Sequence, residues 1–175
     1  VFIDRVLATA EAYRVPTTLV INKIDLYTDE EKEYMEALRH LYQTIGYSSI
    51  CVSAQPGEGI ELLKQAMKAK PPLLSGNSGV GKSSLINALA ASNIARTGSI
   101  SDAHNKGMHT TTFSEMFELE KDSYLIDTPG IKGFGTIDFQ KEEVDHYFPE
   151  IFRHSANCKF GNCMHLKEPG CAVLT

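Results

Sequence analysis

The sequence has no apolar run that approaches the roughly 18 residues needed to span a bilayer, so no membrane partner is expected. It also lacks an excess of positive charge, because the formal net charge is -5. An acidic balance gives no overall electrostatic reason to bind nucleic acid, so any RNA contact would need a local basic patch. The chain has only 4 cysteines, which argues against a disulfide framework and favours a reduced, cytoplasmic setting.

The first residues, 1–5, do not resemble a signal peptide, which would have a basic start and a longer apolar stretch. An amphipathic pattern is already under way there, so we expect the chain to begin inside a larger protein. Its hydrophobic share of 42% and charged share of 22% suit one globular domain with a small appendage. We expect it to act as a monomer.

Apolar periodicity predicts an alternation of helices and strands. Helical spacing predicts helices over residues 2–14, 29–45, 59–68, 82–91 and 138–147. Short apolar or β-branched runs predict strands over residues 17–21, 49–52, 73–74, 113–119 and 124–126. The stretches 97–112 and 130–136 lack periodicity and are predicted to be loops. The alternation predicts an α/β fold with a doubly wound, mostly parallel sheet.

A phosphate-binding loop is predicted at residues 76–83, where Gly-Asn-Ser-Gly-Val-Gly-Lys-Ser lies between a strand and a helix. The glycines let backbone N–H groups point at phosphate oxygens. Lys82 would place a positive charge beside the β- and γ-phosphates, and the Ser83 hydroxyl is a suitable Mg²⁺ ligand. The predicted phosphate-binding residues are Asn77, Ser78, Gly79, Val80, Gly81, Lys82, Ser83 and Ser84.

A guanine-binding motif is predicted where Asn-Lys-Ile-Asp, ending at Asp25, follows a strand. The Asp25 carboxylate can accept hydrogen bonds from the guanine ring N–H and exocyclic amine, and adenine offers no matching donors. The Lys23 stem can lie over the base, and Asn22 can connect this loop to the phosphate loop. Ser53 and Ala54 follow the next strand, and the Ala54 N–H can reach the guanine oxygen. Each of these two patterns alone is weak evidence for guanine binding. Their positions, one helix apart and each after a strand, strengthen the prediction.

A D-x-x-G motif runs from Asp127 to Gly130 after a predicted strand, although Asp-x-Pro-Gly is also a common turn. Asp127 could hold Mg²⁺ through water, and the Gly130 N–H could sense the γ-phosphate. A threonine in the preceding loop should complete the Mg²⁺ shell. Thr111 is favoured and Thr110 is the alternative.

The position that many GTPases use for a water-orienting glutamine is occupied here by Ile131. Unaided hydrolysis is therefore expected to be slow. His109 is the candidate for positioning water, with Lys82 and Thr111 as the other catalytic residues. The alternative is that His109 is a solvated loop histidine.

The guanine-nucleotide motifs occur in a rotated order. Ras-like GTPases have the order P-loop, threonine, D-x-x-G, N-K-x-D and S-A, whereas N-K-x-D and S-A come first here. A sheet can keep its strands while the chain ends lie elsewhere. The order predicts a P-loop NTPase of circularly permuted topology that binds GTP and hydrolyses it to GDP.

The end of the chain contains metal-binding residue types with the spacing C-x₄-C-x-H-x₅-C. They are Cys158, Cys163, His165 and Cys171. Three thiolates and one imidazole make a closed tetrahedral set, which is typical of one structural Zn²⁺ ion. The segment has few apolar residues of its own, so metal would supply its folding energy. The alternative is that these are incidental loop cysteines.

The rotated order, the segments 107–112 and 127–135, and the Cys/His spacing with Glu-Pro-Gly-Cys-Ala-Val at 168–173 together resemble the RsgA family of circularly permuted GTPases. The resemblance covers essentially the whole chain. It implies a GTPase that is stimulated by the small ribosomal subunit, binds its rRNA and acts late in its maturation. It also implies an N-terminal OB-fold domain, which is absent from this chain. We therefore predict a GTPase domain over 1–137, truncated at its N terminus, and a helical, zinc-binding module over 138–175, truncated at its C terminus.

Two other functions stay open at this point. A permuted GTPase could act on the large subunit, although the zinc motif argues against it. A nucleotide-gated rRNA-binding scaffold could have negligible hydrolysis. GTP turnover with and without small subunits distinguishes an enzyme from a scaffold.

Overall fold

The computed structural model describes residues 2–68, 71–90, 114–120, 123–127 and 139–174, and the statements below concern those residues. The predicted loop at 97–112 and the glycine-rich stretch at 130–136 lie outside them.

Helices and strands alternate along the described chain, which confirms the predicted α/β class. The helices are α1 (Phe2–Ala12), α2 (Asp29–Ile45), α3 (Ile60–Met67), α4 (Lys82–Leu89) and α5 (Pro149–Ser155). The strands are β1 (Thr18–Ile21), β2 (Ser48–Cys51), β3 (Leu73–Leu74), β4 (Glu115–Glu120) and β5 (Ser123–Asp127). Two short 3-10 helices span Ile24–Leu26 and Lys141–Tyr147.

The start of α2 illustrates how local sequence sets an element boundary. Thr28 Oγ1 accepts a hydrogen bond from the Glu31 backbone N–H at 3.3 Å, and the Glu31 carboxylate accepts one from the Thr28 N–H at 2.8 Å. This reciprocal pair is a capping box, which satisfies backbone donors that the first helical turn leaves without partners. The Thr28 N–H and hydroxyl bonds hold the pKa of Glu31 below its ordinary value.

The described strands form two sheets. One pairs β1 with β2, and the other has the order β3-β5-β4. Strand β3 runs parallel to β5, with Leu73 opposite Ile126 and Leu74 opposite Asp127. Strand β4 runs antiparallel to β5 at the edge of this sheet. The two prolines before β3 limit that strand to two residues, as predicted, since proline has no N–H to donate to a ladder.

Apolar side chains from β2, α3, α4 and the three-stranded sheet form the hydrophobic core. Its buried members are Ile50, Val52, Ile60, Leu63, Leu85, Ile86, Leu89, Phe117 and Leu125. Val52 and Ile86 are 0% exposed. Full burial of one such aliphatic side chain stabilises the fold by about 1.5–3 kcal/mol. The core therefore holds the strand ends in place, and the strand ends carry the candidate site.

The described residues group into two compact units by their packing. One contains the described parts of 1–18, 38–48 and 133–175, and the other contains those of 19–37 and 49–132. The nucleotide motifs fall in the second unit and the Cys/His cluster falls in the first. The predicted domain division after residue 137 stays a prediction.

Two tyrosine–carboxylate pairs join α1 to the chain around the end of α2. Tyr42 Oη donates to Asp4 Oδ1 at 2.7 Å, and Tyr47 Oη donates to Glu11 Oε1 at 3.0 Å. Burial, followed by the bond to Glu11, raises the pKa of Tyr47. The phenol therefore stays protonated and keeps its donor.

Helix α5 is a difference from the sequence-based expectation, which placed no helix over residues 149–155. Proline at its first position suits a helix start, because that N–H would lack a helical partner anyway. Arg153 Nη2 donates to the Ile45 carbonyl at 3.1 Å. A helix of seven residues is too short to show a clear apolar period. None of the described helices has the length and apolar character to cross a membrane.

Candidate functional site

The predicted phosphate loop connects β3 to α4. Gly79 and Gly81 have φ angles of 83° and 93°, which residues that carry a Cβ atom rarely adopt. A Cβ atom on Gly81 would lie 2.5 Å from Asn22 Nδ2, so this position also needs glycine for space. The loop ends at the first turn of α4, where backbone N–H groups and the helix dipole favour an anion.

Lys82 is held against the backbone of this loop. Its Nζ donates to the Gly76 carbonyl at 2.8 Å and to the Asn77 carbonyl at 3.2 Å. The ammonium group thus lies beside the loop where it is predicted to contact the β- and γ-phosphates.

Asn22 connects the guanine-binding motif to two other loops. Its Nδ2 donates to the Val80 carbonyl at 3.1 Å, and its Oδ1 accepts from the Ala54 N–H at 3.3 Å. Lys23 Nζ donates to the Gly79 carbonyl at 2.8 Å. The predicted connection between the N-K-x-D loop and the phosphate loop is therefore present, and the same amide also holds the S-A turn.

Ser53 supports the loop that carries Asp25. Its side chain is fully buried, and its Oγ accepts a hydrogen bond from the Asp25 N–H at 3.0 Å. The Asp25 residue itself is exposed. Gly59 allows the following turn, since its φ is 73° and a Cβ there would overlap the Cys51 carbonyl oxygen. The carboxylate is thus presented to solvent on a backbone fixed by a buried hydroxyl.

Asp127 lies at the carboxyl end of β5, directly opposite Leu74. Because residue 76 follows Leu74 by two positions, the sheet register places Asp127 beside the start of the phosphate loop. Other predicted residues, including the candidate Mg²⁺ and catalytic ones of the threonine loop, lie outside the described residues: His109, Thr110, Thr111, Gly130 and Ile131.

The four predicted metal ligands come together. The ligand atoms of Cys158, Cys163, His165 and Cys171 all lie within 4.8 Å of one another. His165 Nδ1 is 3.3 Å from the Cys171 sulfur and 3.7 Å from the Cys158 sulfur. Ligand atoms around tetrahedral zinc are separated by about 3.5–3.8 Å. The donor set and the two distances from His165 Nδ1 are therefore compatible with a structural Zn²⁺ ion.

Hydrogen bonds and burial set the thiol and imidazole chemistry of this cluster. Burial raises the pKa of Cys163 to about 11. Burial also acts to raise the pKa of Cys171, but hydrogen bonding with the His165 ring and with the Val173 and Leu174 N–H groups lowers it to about 7. The bond to the Cys171 sulfur raises the pKa of His165. Thiolates are the form that binds a metal.

Glu168, for which no sequence pattern predicted a role, organises the loop between His165 and Cys171. Its carboxylate accepts hydrogen bonds from the N–H groups of Met164, Leu166 and Lys167 at 3.0, 2.9 and 2.9 Å. Backbone bonds, first that of Lys167, lower the pKa of Glu168 to about 2. Asp145 was also missed: its Oδ2 lies 3.2 Å from His165 Nε2.

Comparison with known proteins identifies a common family. Residues 1–137 match the family model described as RsgA GTPase. The chain is 60% identical over 173 residues to the small ribosomal subunit biogenesis GTPase RsgA 2 of Bacteroides thetaiotaomicron. This alignment covers 99% of this chain and 56% of that protein. It is 60% identical over 177 residues to the protein of the same description, RsgA, from Porphyromonas gingivalis, with coverage of 99% and 56%. The chain thus spans about half the length of the curated relatives it matches.

Two solved structures resemble the fold. YjeQ from Thermotoga maritima superposes with a TM-score of 0.78 and 35% identity, over 99% of this chain and 56% of that one. YloQ, described as a circularly permuted GTPase, superposes with a TM-score of 0.74 and 28% identity, over 99% and 54%. These similarities confirm the predicted α/β fold of permuted topology.

Proposed function

The chain belongs to the RsgA GTPase family, and on that premise we propose that it binds GTP, hydrolyses it to GDP and phosphate, and acts in late maturation of the small ribosomal subunit. The observation that carries the proposal is the convergence of three loops on one side chain, Asn22. Two of these loops have the residue types that bind guanine and the third has those that bind phosphate. They follow one another in the permuted order.

Guanine selection is assigned to Asp25 and the Ala54 N–H. The Asp25 carboxylate would accept from the ring N–H and exocyclic amine, and an adenine base would leave it without donors. Lys23 and Asn22 would hold this loop against the phosphate loop through the bonds to Gly79 and Val80. The geometry around Ser53 supports this assignment because it fixes the Asp25 backbone.

Phosphate binding is assigned to the loop residues 77–81 together with Lys82, Ser83 and Ser84. The residues that would hold Mg²⁺ are Ser83 and Thr111, with Asp127 acting through water. Bound Mg²⁺ would neutralise charge on the β- and γ-phosphate oxygens. The position of Asp127, beside the start of the phosphate loop, supports its part in this assignment.

Hydrolysis by the chain alone should be slow, because Ile131 cannot hydrogen-bond a water molecule. His109 is the residue that we assign to water positioning, and the small ribosomal subunit would stimulate turnover. The Gly130 N–H would sense the γ-phosphate. The proposed partners are the small subunit and its rRNA, the proposed state is a monomer, and the proposed compartment is the cytoplasm.

The Cys/His cluster is assigned one structural Zn²⁺ ion. Four protein ligands would fill a tetrahedral shell and leave no position for substrate. The ion would hold together a segment whose backbone has little regular structure after α5.

The proposal is tested with the full-length protein in two steps. Binding of fluorescent GTP and ATP analogues is measured first, and tight binding of the guanine analogue alone is expected. Phosphate release is then measured alone, with small subunits and with large subunits, and stimulation by small subunits alone is expected. Equal binding of both nucleotides, or of neither, would overturn the nucleotide assignment. Nucleotide binding with no turnover under any condition would favour the rRNA-binding scaffold. Stimulation by large subunits would instead indicate a GTPase that acts on the large subunit.

A further inference from the structure

The two ring nitrogens of His165 have different partners. Nδ1 faces two sulfurs, at 3.3 Å from Cys171 and 3.7 Å from Cys158. Nε2 lies 3.2 Å from Asp145 Oδ2, which comes from the 3-10 helix 20 positions earlier in the chain. The imidazole therefore lies between a thiol cluster and a carboxylate.

We propose that Asp145 is a positioning residue for the metal cluster, because it fixes the His165 ring as the tautomer that donates from Nε2 and offers its lone pair at Nδ1. The inference rests on the zinc site proposed above. An ionised carboxylate can only accept, so a neutral imidazole bonded to it must carry its proton on Nε2. Nδ1 is then the acceptor nitrogen, which is the form that binds a metal. A carboxylate on the distal nitrogen also orients the ring and increases ligand basicity.

The bond between Asp145 and His165 is largely shielded from solvent, and the short helix that carries Asp145 has local contacts of its own. The side chain of Asp145 is 20% exposed and that of His165 is 8% exposed, so bulk water competes little for their bond. At the start of the 3-10 helix, the Gln140 N–H donates to Glu143 Oε1 at 3.2 Å. The ring centroids of Phe139, just before this helix, and of Tyr147, its last residue, lie 4.6 Å apart.

A second contact of Asp145 has a different geometry. Its Oδ1 lies 3.9 Å from Nε2 of His146, whose side chain is 53% exposed. That distance is too long for a hydrogen bond. The exposed ring cannot replace His165 as the main partner, so the carboxylate is committed to the cluster.

The inference is tested in the full-length protein with Asp145→Ala, Asp145→Asn and the control Glu142→Ala, which removes an exposed acid from the same 3-10 helix. Zinc affinity is measured by competition with a chromophoric chelator. Asp145→Ala is expected to bind zinc about 10- to 100-fold more weakly than the parent protein. Asp145→Asn keeps an acceptor oxygen without the charge and should lie between the two, and Glu142→Ala should match the parent.

A spectroscopic measurement distinguishes positioning from general destabilisation. The Nε2 proton of His165 in the zinc-loaded parent should exchange slowly with water in NMR spectra, and its exchange should become fast in Asp145→Ala. If the parent protein binds no zinc, the proposed metal site and this inference both fail. If the parent binds zinc while the Asp145 variants keep its affinity and slow exchange, only this inference fails. Should Asp145→Ala not fold, the same comparison on Asp145→Asn decides.

Discussion

Asn22 and Val80 are 58 positions apart in the sequence, yet Asn22 Nδ2 donates a 3.1 Å hydrogen bond to the Val80 carbonyl. The Oδ1 atom of the same amide accepts from the Ala54 N–H. One side chain needs both a donor and an acceptor to do this, which an amide has and a carboxylate lacks. The permuted chain order leaves this contact possible because it depends on strand ends and not on chain ends.

Asn22→Ala should lower GTP affinity by about 10- to 100-fold, since two hydrogen bonds of about 1 kcal/mol each are lost and the loops can separate. The measurement is a titration with a fluorescent guanine nucleotide. Gln65→Ala removes an exposed amide from α3 and serves as the control, with affinity unchanged. Equal affinity of Asn22→Ala and the control would show that the bridge does not organise the site.

Asp25→Asn should change base selectivity while leaving the fold intact. The amide would present a donor where guanine also presents donors, so GTP affinity should fall by at least about 100-fold, given about 1.5–3 kcal/mol for each charge-assisted bond. Xanthine has a carbonyl at that position and should bind better to the variant than to the parent.

Competition of XTP and GTP for the same site provides the measurement for Asp25→Asn. Asp29→Asn is a matched control, because its carboxylate is exposed and pairs only loosely with Lys32 at 3.6 Å. If Asp25→Asn still prefers GTP over XTP, the role assigned to Asp25 in base recognition is wrong.

Gly81→Ala should destabilise the protein more than Gly57→Ala does. Both glycines have positive φ, 93° and 82°, so both substitutions carry a backbone penalty of about 1–2 kcal/mol. A Cβ on Gly81 would also displace Asn22, whereas one on Gly57 would meet no described atom within 4 Å. Thermal unfolding without nucleotide measures the difference. Equal losses of stability in the two variants would show that the Asn22 side chain can move away from the new Cβ atom without a free-energy penalty.

Glu168→Gln should weaken retention of zinc, because a neutral amide accepts backbone hydrogen bonds less strongly than a carboxylate. The folded pKa of Glu168 is about 2 against an ordinary value of 4.5. A lowered pKa contributes stability that is complete above the ordinary value and is lost only as pH falls towards 2. The difference between the parent protein and the variant should therefore be constant between about pH 6 and pH 8.

Chelator competition across that pH range measures the effect of Glu168→Gln, with Glu142→Gln as an exposed control. Both proteins are expected to lose zinc more readily at lower pH, because thiols take up protons, and that shared change should cancel in the difference between them. A difference that varies across the range would assign the effect to another titrating group.

Much of the fold could be predicted from local patterns. The two-residue strand at 73–74 follows from two preceding prolines, and the start of α4 at Lys82 follows from the glycines before it. The segment predicted as a helix up to residue 147 is a 3-10 helix over Lys141–Tyr147 in its described part. Apolar spacing cannot distinguish these helix types over a few residues, because their periods differ by only about 0.6 residue per turn.

The sequence by itself determined the chemistry of this protein: glycines where backbone must turn, an Asn-Lys-x-Asp motif after a strand, and three cysteines with a histidine at ligand spacing. These are short-range patterns, and residues close in sequence are constrained by backbone geometry alone. The sequence predicted that Asn22 connects its loop to the phosphate loop, but only the tertiary structure decided that the same amide also bonds to Ala54, and that Asp145 faces His165. Such partners are selected by how packed elements place distant side chains, and spacing along the chain contains no information about that placement.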